Sequence, residues 1–575
     1  MSDPLLFASA AAAAAEARRR LAGLAAIAVV AVAAYVYGLD SHHAPKNGDE
    51  YAYEHIARLT AASGALLPLR TDVAALRNTK PPFLFWQGIA STNGGRDWTL
   101  ARLRWPSVAY TLATAALAFA VGRRLSGRAD RGLLAALVFL AFFSTYRYGR
   151  PFLTNAPETF WLFLPFAVLL LRPGSARATL LPFVVGVPLG VALLYKSFAL
   201  AAPAGLALAA WRVRLRGGRL AEAIRHDGAP VALALAIAVS AFAAWFALDP
   251  APAAVWTDFV LRENAGKFSL PGGYVPRLLW GPSSLWAYAL AFAANAGLLL
   301  PAALATCVLS WRRRRELSEG ERLLWLLVLS FALFYALPSQ RSSRYLLPVM
   351  PALAVLVALA WERLARWLFL VTLAATAVVV VGLAVASRQV DALAPWARDG
   401  AAAHWALLAT TAAVAGLGLV VARLTRACAL TAVFLAYLSL ASTLRPFDGP
   451  AGRYDAAAVA RARGRAVLVP YDFVAKEERY RFVLPGATPV GYREDGRGPA
   501  RPADPPPHAL VVMQAPVGGE PCGGCTVLGR RLDLRGRQSA AEVREILAGR
   551  LSPALVVEEL LVETGDAPGG PAARP

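Results

Sequence analysis

The sequence predicts an all-α polytopic membrane protein with a small α/β domain at its C-terminal end. Mean hydropathy is +0.47, and 57% of the 575 residues are hydrophobic while only 17% are charged, a balance too apolar for an ordinary soluble protein. Apolar windows of about 20 residues recur down the chain, the length that crosses a hydrocarbon core. After Arg445 the composition turns polar and rich in Pro and Gly, with short β-like runs. Residues 1–445 are therefore expected to form the membrane domain, and 446–575 a separate domain. The net charge of +22 raises the question of nucleic acid. Most arginines, however, stand in short clusters between apolar spans, which is the positive-inside pattern of a membrane protein and argues against a nucleic-acid partner.

In chain order, residues 1–17 are Ala-rich, and Arg18, Arg19 and Arg20 precede a first apolar span near 21–39. That cluster predicts a cytoplasmic N-terminus. The run is long for the core of a cleaved signal peptide, and many spans follow. The outer loop over 40–99 then carries an interfacial helix over 49–62, with Ile56 and Leu59 at helical spacing, ended by Ser63-Gly64. A short helix is expected after Lys80-Pro81-Pro82, because Pro is accepted in a first helical turn. Arg123, Arg124, Arg128 and Arg131 follow the second span, Arg212, Arg214 and Arg216 the sixth, and Arg312 to Arg315 the eighth. The alternation gives about thirteen spans ending near Leu444, and so an extracytoplasmic C-terminal domain in a multi-pass protein of the cytoplasmic (inner) membrane. Within that domain, strands are predicted at 466–470, 509–513 and 555–563, with a helix following Ser539. The tail from 565 reads as disordered. No internal repeat is apparent.

Charge of both signs between two membrane spans is costly to desolvate, which makes the first outer loop the candidate active site. Asp49 and Glu50 lead it. Asp49 serves equally as an N-cap and as a proton acceptor, and the two roles are compatible. Glu50 and Glu54, four residues apart, repel each other unless a cation lies between them, so a divalent metal is compatible with this helix, and no cofactor is assigned beyond that. His42 and His43 lack further ligand spacing, and no metal ligands are assigned. Lys80 stands beside two prolines, and Lys196 at the outer end of an apolar span, where a snorkelling anchor is the plainer role. With Arg341 and Arg344 on another outer loop, these lysines make a cationic site for a phosphate.

The Asp-Glu pair after the first span, the Lys-Pro about thirty residues later with its aromatic-rich helix, the Lys after span five and the run from Ser339 to Pro351 together resemble the bacterial aminoarabinose transferases and their relatives, the protein O-mannosyltransferases. These are glycosyltransferases of GT-C type. The resemblance covers roughly 20–365 and implies transfer of a sugar, with inversion, from a polyprenyl-phosphate donor to an extracytoplasmic acceptor such as a lipid, glycan or protein. It implies Asp49 as the catalytic carboxylate with Glu50 beside it. Lys80, Lys196, Arg341 and Arg344 would hold the phosphate, and Tyr345, Tyr53, Glu263, Asn155 and Glu158 would contact substrate. Two departures bear on the sugar and acceptor. Asn155-Ala156-Pro157-Glu158 stands where relatives often have Asp before Pro, and Glu263-Asn264 where the aminoarabinose enzymes have Glu-His. A transporter or flippase of a lipid-linked anion is the alternative, but it calls for charges near mid-membrane, whereas these cluster at outer span ends. Cys522 and Cys525 suit a local disulfide, a redox pair or half a zinc site.

Overall fold

The structure is a computed structural model, and it describes residues 4–45, 48–268, 273–338, 341–393, 398, 400–471, 475–493, 500–503, 505–519, 524–534, 544–545, 548, 550 and 555–565. The tail beyond 565, most of the helix expected after Ser539, and Cys522 lie outside the described residues. Cys525 is disulfide-bonded, and Cys307 and Cys428 are free.

The apolar windows fold as helices where they were expected. α1 (Pro4–Val36), α2 (Gly48–Ala62), α3 (Phe83–Ser91) and α4 (Leu100–Ser126) are followed by α5 (Ala129–Ala141), α6 (Phe143–Tyr148), α7 (Asn155–Leu171), α8 (Leu181–Tyr195), α9 (Ala201–Leu215) and α10 (Leu220–Leu248). Further long helices follow over Glu319–Ala336, Met350–Ala360, Arg366–Leu393, Ala401–Val420 and Thr425–Leu444. Among the described residues, eight helical segments are long and apolar enough to cross a membrane, or nine if the bent pair Leu285–Ala294 and Gly297–Arg312 is one span. The expected thirteen spans include α7 and α8, which are apolar but shorter, at 17 and 15 residues.

Small residues let these helices approach closely, as van der Waals packing in lipid requires. A Cβ on Gly132 would lie 2.5 Å from the Phe119 carbonyl oxygen of α4, and one on Gly186 of α8 would lie 2.7 Å from the Ala234 carbonyl oxygen of α10. Gly127, in the left-handed region at φ 71°, closes α4 and turns the chain into α5. At the end of the bundle bearing that turn, Glu362 meets Arg20 at 3.2 Å, Arg128 at 3.7 Å and Arg131. Two of the sequence's basic clusters, Arg18 to Arg20 and Arg123 to Arg131, are thus on one end of the bundle.

The C-terminal unit holds a mixed five-stranded sheet of order β2-β1-β3-β5-β4. Its strands are β1 (Ala466–Tyr471), β2 (Thr488–Arg493), β3 (Leu510–Ala515), β4 (Thr526–Leu534) and β5 (Val556–Glu563). β1 runs parallel to β2 and β3, while β5 runs antiparallel to β3 and β4. β1, β3 and β5 are the three expected strands. β2 and β4 carry Pro489, Gly491, Arg530, Arg531 and Asp533, a composition that reads as loop.

Candidate active site

α2 begins one residue before Asp49, so Asp49 lies inside the first helical turn, where a carboxylate still complements the helix dipole. Successive positions on a helix point about 100° apart, and the Asp-Glu pair divides accordingly. Asp49 faces a cavity of about 890 Å³, shared with Tyr53 one turn further on. Glu50 faces the protein interior. There it takes a bidentate pair from Arg104 of α4, with Nε and Nη2 both at 2.7 Å, and accepts the Phe152 backbone N–H at 2.7 Å. Arg104 also donates to the carbonyls of Leu39, Ser41 and Pro45. With Arg104 at 2% exposure and Glu50 at 1%, this pair fixes the start of α2 against the bundle and leaves Glu50 away from the cavity.

Three cations stand at the cavity wall, each on a different element and each paired with a carboxylate. Arg344, in the turn Ser343–Val349, donates to Asp49 Oδ2 at 2.5 Å. Lys80 donates to Glu263 Oε1 at 2.8 Å and to the Thr79 carbonyl at 2.8 Å. Lys196, following α8, donates to Glu158 at 2.8 and 3.1 Å and lies 5.4 Å from the centre of the Tyr345 ring. Burial alone would lower the Lys80 ammonium, but Tyr53 and Glu263 outweigh it and hold its pKa above the usual lysine value. It stays charged at neutral pH. Burial raises the phenol of Tyr53.

Asn155 lines the cavity, whereas Glu158 lies behind Lys196 as its buried partner. Tyr345 lines it too, with Tyr335 tilted against its ring at 5.0 Å. Arg341 does not reach it. Its guanidinium donates to the carbonyls of Ala336, Ser283 and Arg277 and so ties the segment before the helix over Leu285–Ala294 to the C-terminal end of the helix over Glu319–Ala336. Asn264, which the sequence marked only as a departure from the Glu-His of the aminoarabinose enzymes, lines the cavity, and its Oδ1 accepts from Ser197 beside Lys196 at 2.9 Å, whereas Arg104 was not singled out. An arginine inside an otherwise apolar span, two residues past Arg102, was the signal for the latter. The rest of the wall is apolar, including Leu76, Phe198, Leu200, Phe259 and Val260. Among the described residues, no three His, Cys, Asp or Glu side chains gather as a metal site would require.

The cavity, with one polar side rich in cations, an apolar remainder and a carboxylate in the first turn of α2, is set in a bundle with the fold of the GT-C membrane proteins. Over residues 25–253 the chain matches the family model described as dolichyl-phosphate-mannose-protein mannosyltransferase, a stretch that includes Asp49, Lys80, Glu158 and Lys196. The crystal structure of ArnT from Cupriavidus metallidurans bound to undecaprenyl phosphate is similar in fold, with a TM-score of 0.56 and 17% identity, over 93% of this chain and 97% of that one. The apo form of the same protein gives 0.55 and 19% identity over 81% and 85%. No curated protein matches the sequence.

Proposed function

We propose that the cavity transfers a sugar from a polyprenyl-phosphate carrier to an acceptor hydroxyl or amine on the extracytoplasmic side of the inner membrane, with inversion at the anomeric carbon. The observation that carries this reading is the convergence of Lys80, Lys196 and Arg344 with Asp49 on one cavity whose other walls are apolar. A lipid phosphate needs both kinds of surface. ArnT, similar in fold, is bound to undecaprenyl phosphate, which supports a carrier of that kind here.

In the proposed reaction, Asp49 accepts the proton of the acceptor nucleophile as that atom attacks the anomeric carbon from the face opposite the phosphate. The bond between that carbon and the phosphate oxygen breaks, and polyprenyl phosphate leaves with the added negative charge. Lys80, Lys196 and Arg344 neutralise that charge where it develops. Arg344 now occupies Asp49, so the incoming phosphate has to draw the guanidinium away and thereby frees the carboxylate. Tyr53, Asn155, Tyr345 and Glu263 are placed to contact the sugar or phosphate, while Glu158 acts through Lys196. Glu50 and Arg341 hold the scaffold in this account. The C-terminal unit lies on the extracytoplasmic side, opposite the arginine clusters around Glu362.

The test is binding of undecaprenyl phosphate to protein in nanodiscs. A charge-assisted hydrogen bond contributes about 1.5–3 kcal/mol, so Lys80→Gln and Lys196→Gln each weaken binding by roughly 10- to 100-fold. Wild-type binding by both variants would exclude the phosphate site proposed here.

A further inference from the structure

Glu478 stands in a tight turn, Lys476–Arg479, of the C-terminal unit, and it is 2% exposed. Its carboxylate reaches across to α2. Oε1 lies 2.7 Å from His55 Nδ1 and accepts Arg58 Nη2 at 2.5 Å, while Oε2 accepts Arg58 Nε at 2.9 Å and Arg481 Nε at 3.0 Å. An ionised carboxylate only accepts, so Nδ1 carries the hydrogen of the His55 contact. The turn is itself seated on the membrane bundle. Ala475 is fully buried in the bundle's apolar core, and the Phe482 ring lies 5.6 Å from that of His42.

α2 is thus mounted at two points. Glu50 and Arg104 hold its first turn to the bundle, and Glu478 holds its second half to the C-terminal unit. Asp49, next to the first attachment, and Tyr53, between the two, look into the cavity. His55 and Arg58 are three residues apart and share a helix face, so a single carboxylate binding both resists rotation of the helix about its axis. A roll of about 10° carries a side-chain atom some 6 Å from the axis through about 1 Å. Misplacement by about 1 Å costs up to about 100-fold in rate.

We propose that Glu478 is a positioning residue, through which the C-terminal unit sets the roll of α2 and hence the aim of Asp49 and Tyr53. The proposal rests on the reading of Asp49 as the proton acceptor. The phosphate-binding cations stand on other elements, which separates the two consequences of losing Glu478: turnover falls and carrier binding does not.

The experiment uses the full chain with Glu478→Gln and Glu478→Asp. Undecaprenyl phosphate binding is measured in nanodiscs, and consumption of the cellular pool of lipid-linked sugar is measured per folded molecule. Glu478→Gln is expected to bind within about twofold of wild type and to consume donor about 10- to 100-fold more slowly, with Glu478→Asp recovering at least half of that loss on a logarithmic scale. Wild-type consumption by folded Glu478→Gln would overturn the proposal, as would equal losses of binding and turnover. If Glu478→Gln does not fold, Glu478→Asp decides: a measurable loss of turnover with binding kept supports the proposal, and wild-type turnover overturns it. A readout independent of chemistry is the distance distribution between spin labels at Ser63, just past α2, and Arg124 of α4. Removal of the carboxylate is expected to broaden it, and an unchanged distribution overturns the mount. A wild-type protein that consumes no lipid-linked sugar would remove the glycosyl-transfer reading alone, with the spin-label result still deciding the mount.

Discussion

Two adjacent carboxylates should respond in opposite ways to the same amide substitution. Glu50→Gln leaves the Arg104 guanidinium buried without a charge partner, and breaking a buried pair in this way costs about 3–5 kcal/mol. The carbonyls of Leu39, Ser41 and Pro45 remain for Arg104, and the glutamine oxygen still accepts the Phe152 N–H. Those bonds are kept, so Arg104 is not left wholly uncompensated and the loss falls at or just below the lower end of that range. The net loss is about 2–3 kcal/mol out of a stability of order 5–15 kcal/mol. Asp49→Asn, at a side chain one-third exposed in the cavity, should cost little stability but remove the proton acceptor, lowering turnover about 100- to 10,000-fold. The assay pairs the thermal midpoint of detergent-purified protein with donor consumption per folded molecule. Glu50→Gln is expected to melt several degrees lower with turnover per folded molecule within about tenfold of wild type, and Asp49→Asn to melt normally with turnover gone. The reverse pattern would refute the division of roles drawn from the helix phase.

Further predictions concern the contacts of α2. Glu54 is fully buried with both carboxylate oxygens lacking a hydrogen-bond partner, and burial together with Glu50 raises its pKa well above the usual carboxylate range. The folded state therefore holds a proton there that the unfolded chain releases, and stability is lost as pH rises above 4.5 toward the folded value. Glu54→Gln is accordingly expected to raise the thermal midpoint at pH 7.5 and leave it unchanged near pH 4, read by thermal unfolding at both pH values. Glu478 shifts the other way: burial would raise it, but His55, Arg58 and Arg481 pull it down to about 2 from the usual 4.5. Its stabilising contribution, roughly 3 kcal/mol, is complete above pH 4.5 and fades as pH falls toward 2. Acid titration with proteolysis as the readout should loosen the turn over Lys476–Arg479 in that window, and Glu478→Gln should loosen it without acid.

The helices were legible because long apolar windows admit few other structures, and the buried strands β1, β3 and β5 because Val and Leu dominate them. β2 and β4 were hidden by Pro489, Gly491 and the charges of β4, several of which are buried and paired only through the tertiary fold, as Arg531 is with Glu559. Asp49, Lys80, Lys196 and Arg344 could be picked out because charge at a span end is costly to keep. Neighbouring residues of the same type could not be told apart in this way. Glu50 differs from Asp49, and Arg341 from Arg344, only in the direction each side chain takes from its backbone, and partners such as Arg104 are supplied from distant helices. The link from Glu478 to His55 spans 423 residues and leaves no local pattern.

The most direct test of the central claim is mass spectrometry of lipid-linked sugars from cells lacking the protein, complemented with wild type or with Asp49→Asn. The account predicts that a polyprenyl-phosphate sugar accumulates without the protein, disappears with wild type, and accumulates again with Asp49→Asn although that variant still binds undecaprenyl phosphate. An unchanged donor pool in all three strains, or its disappearance with Asp49→Asn, would contradict it.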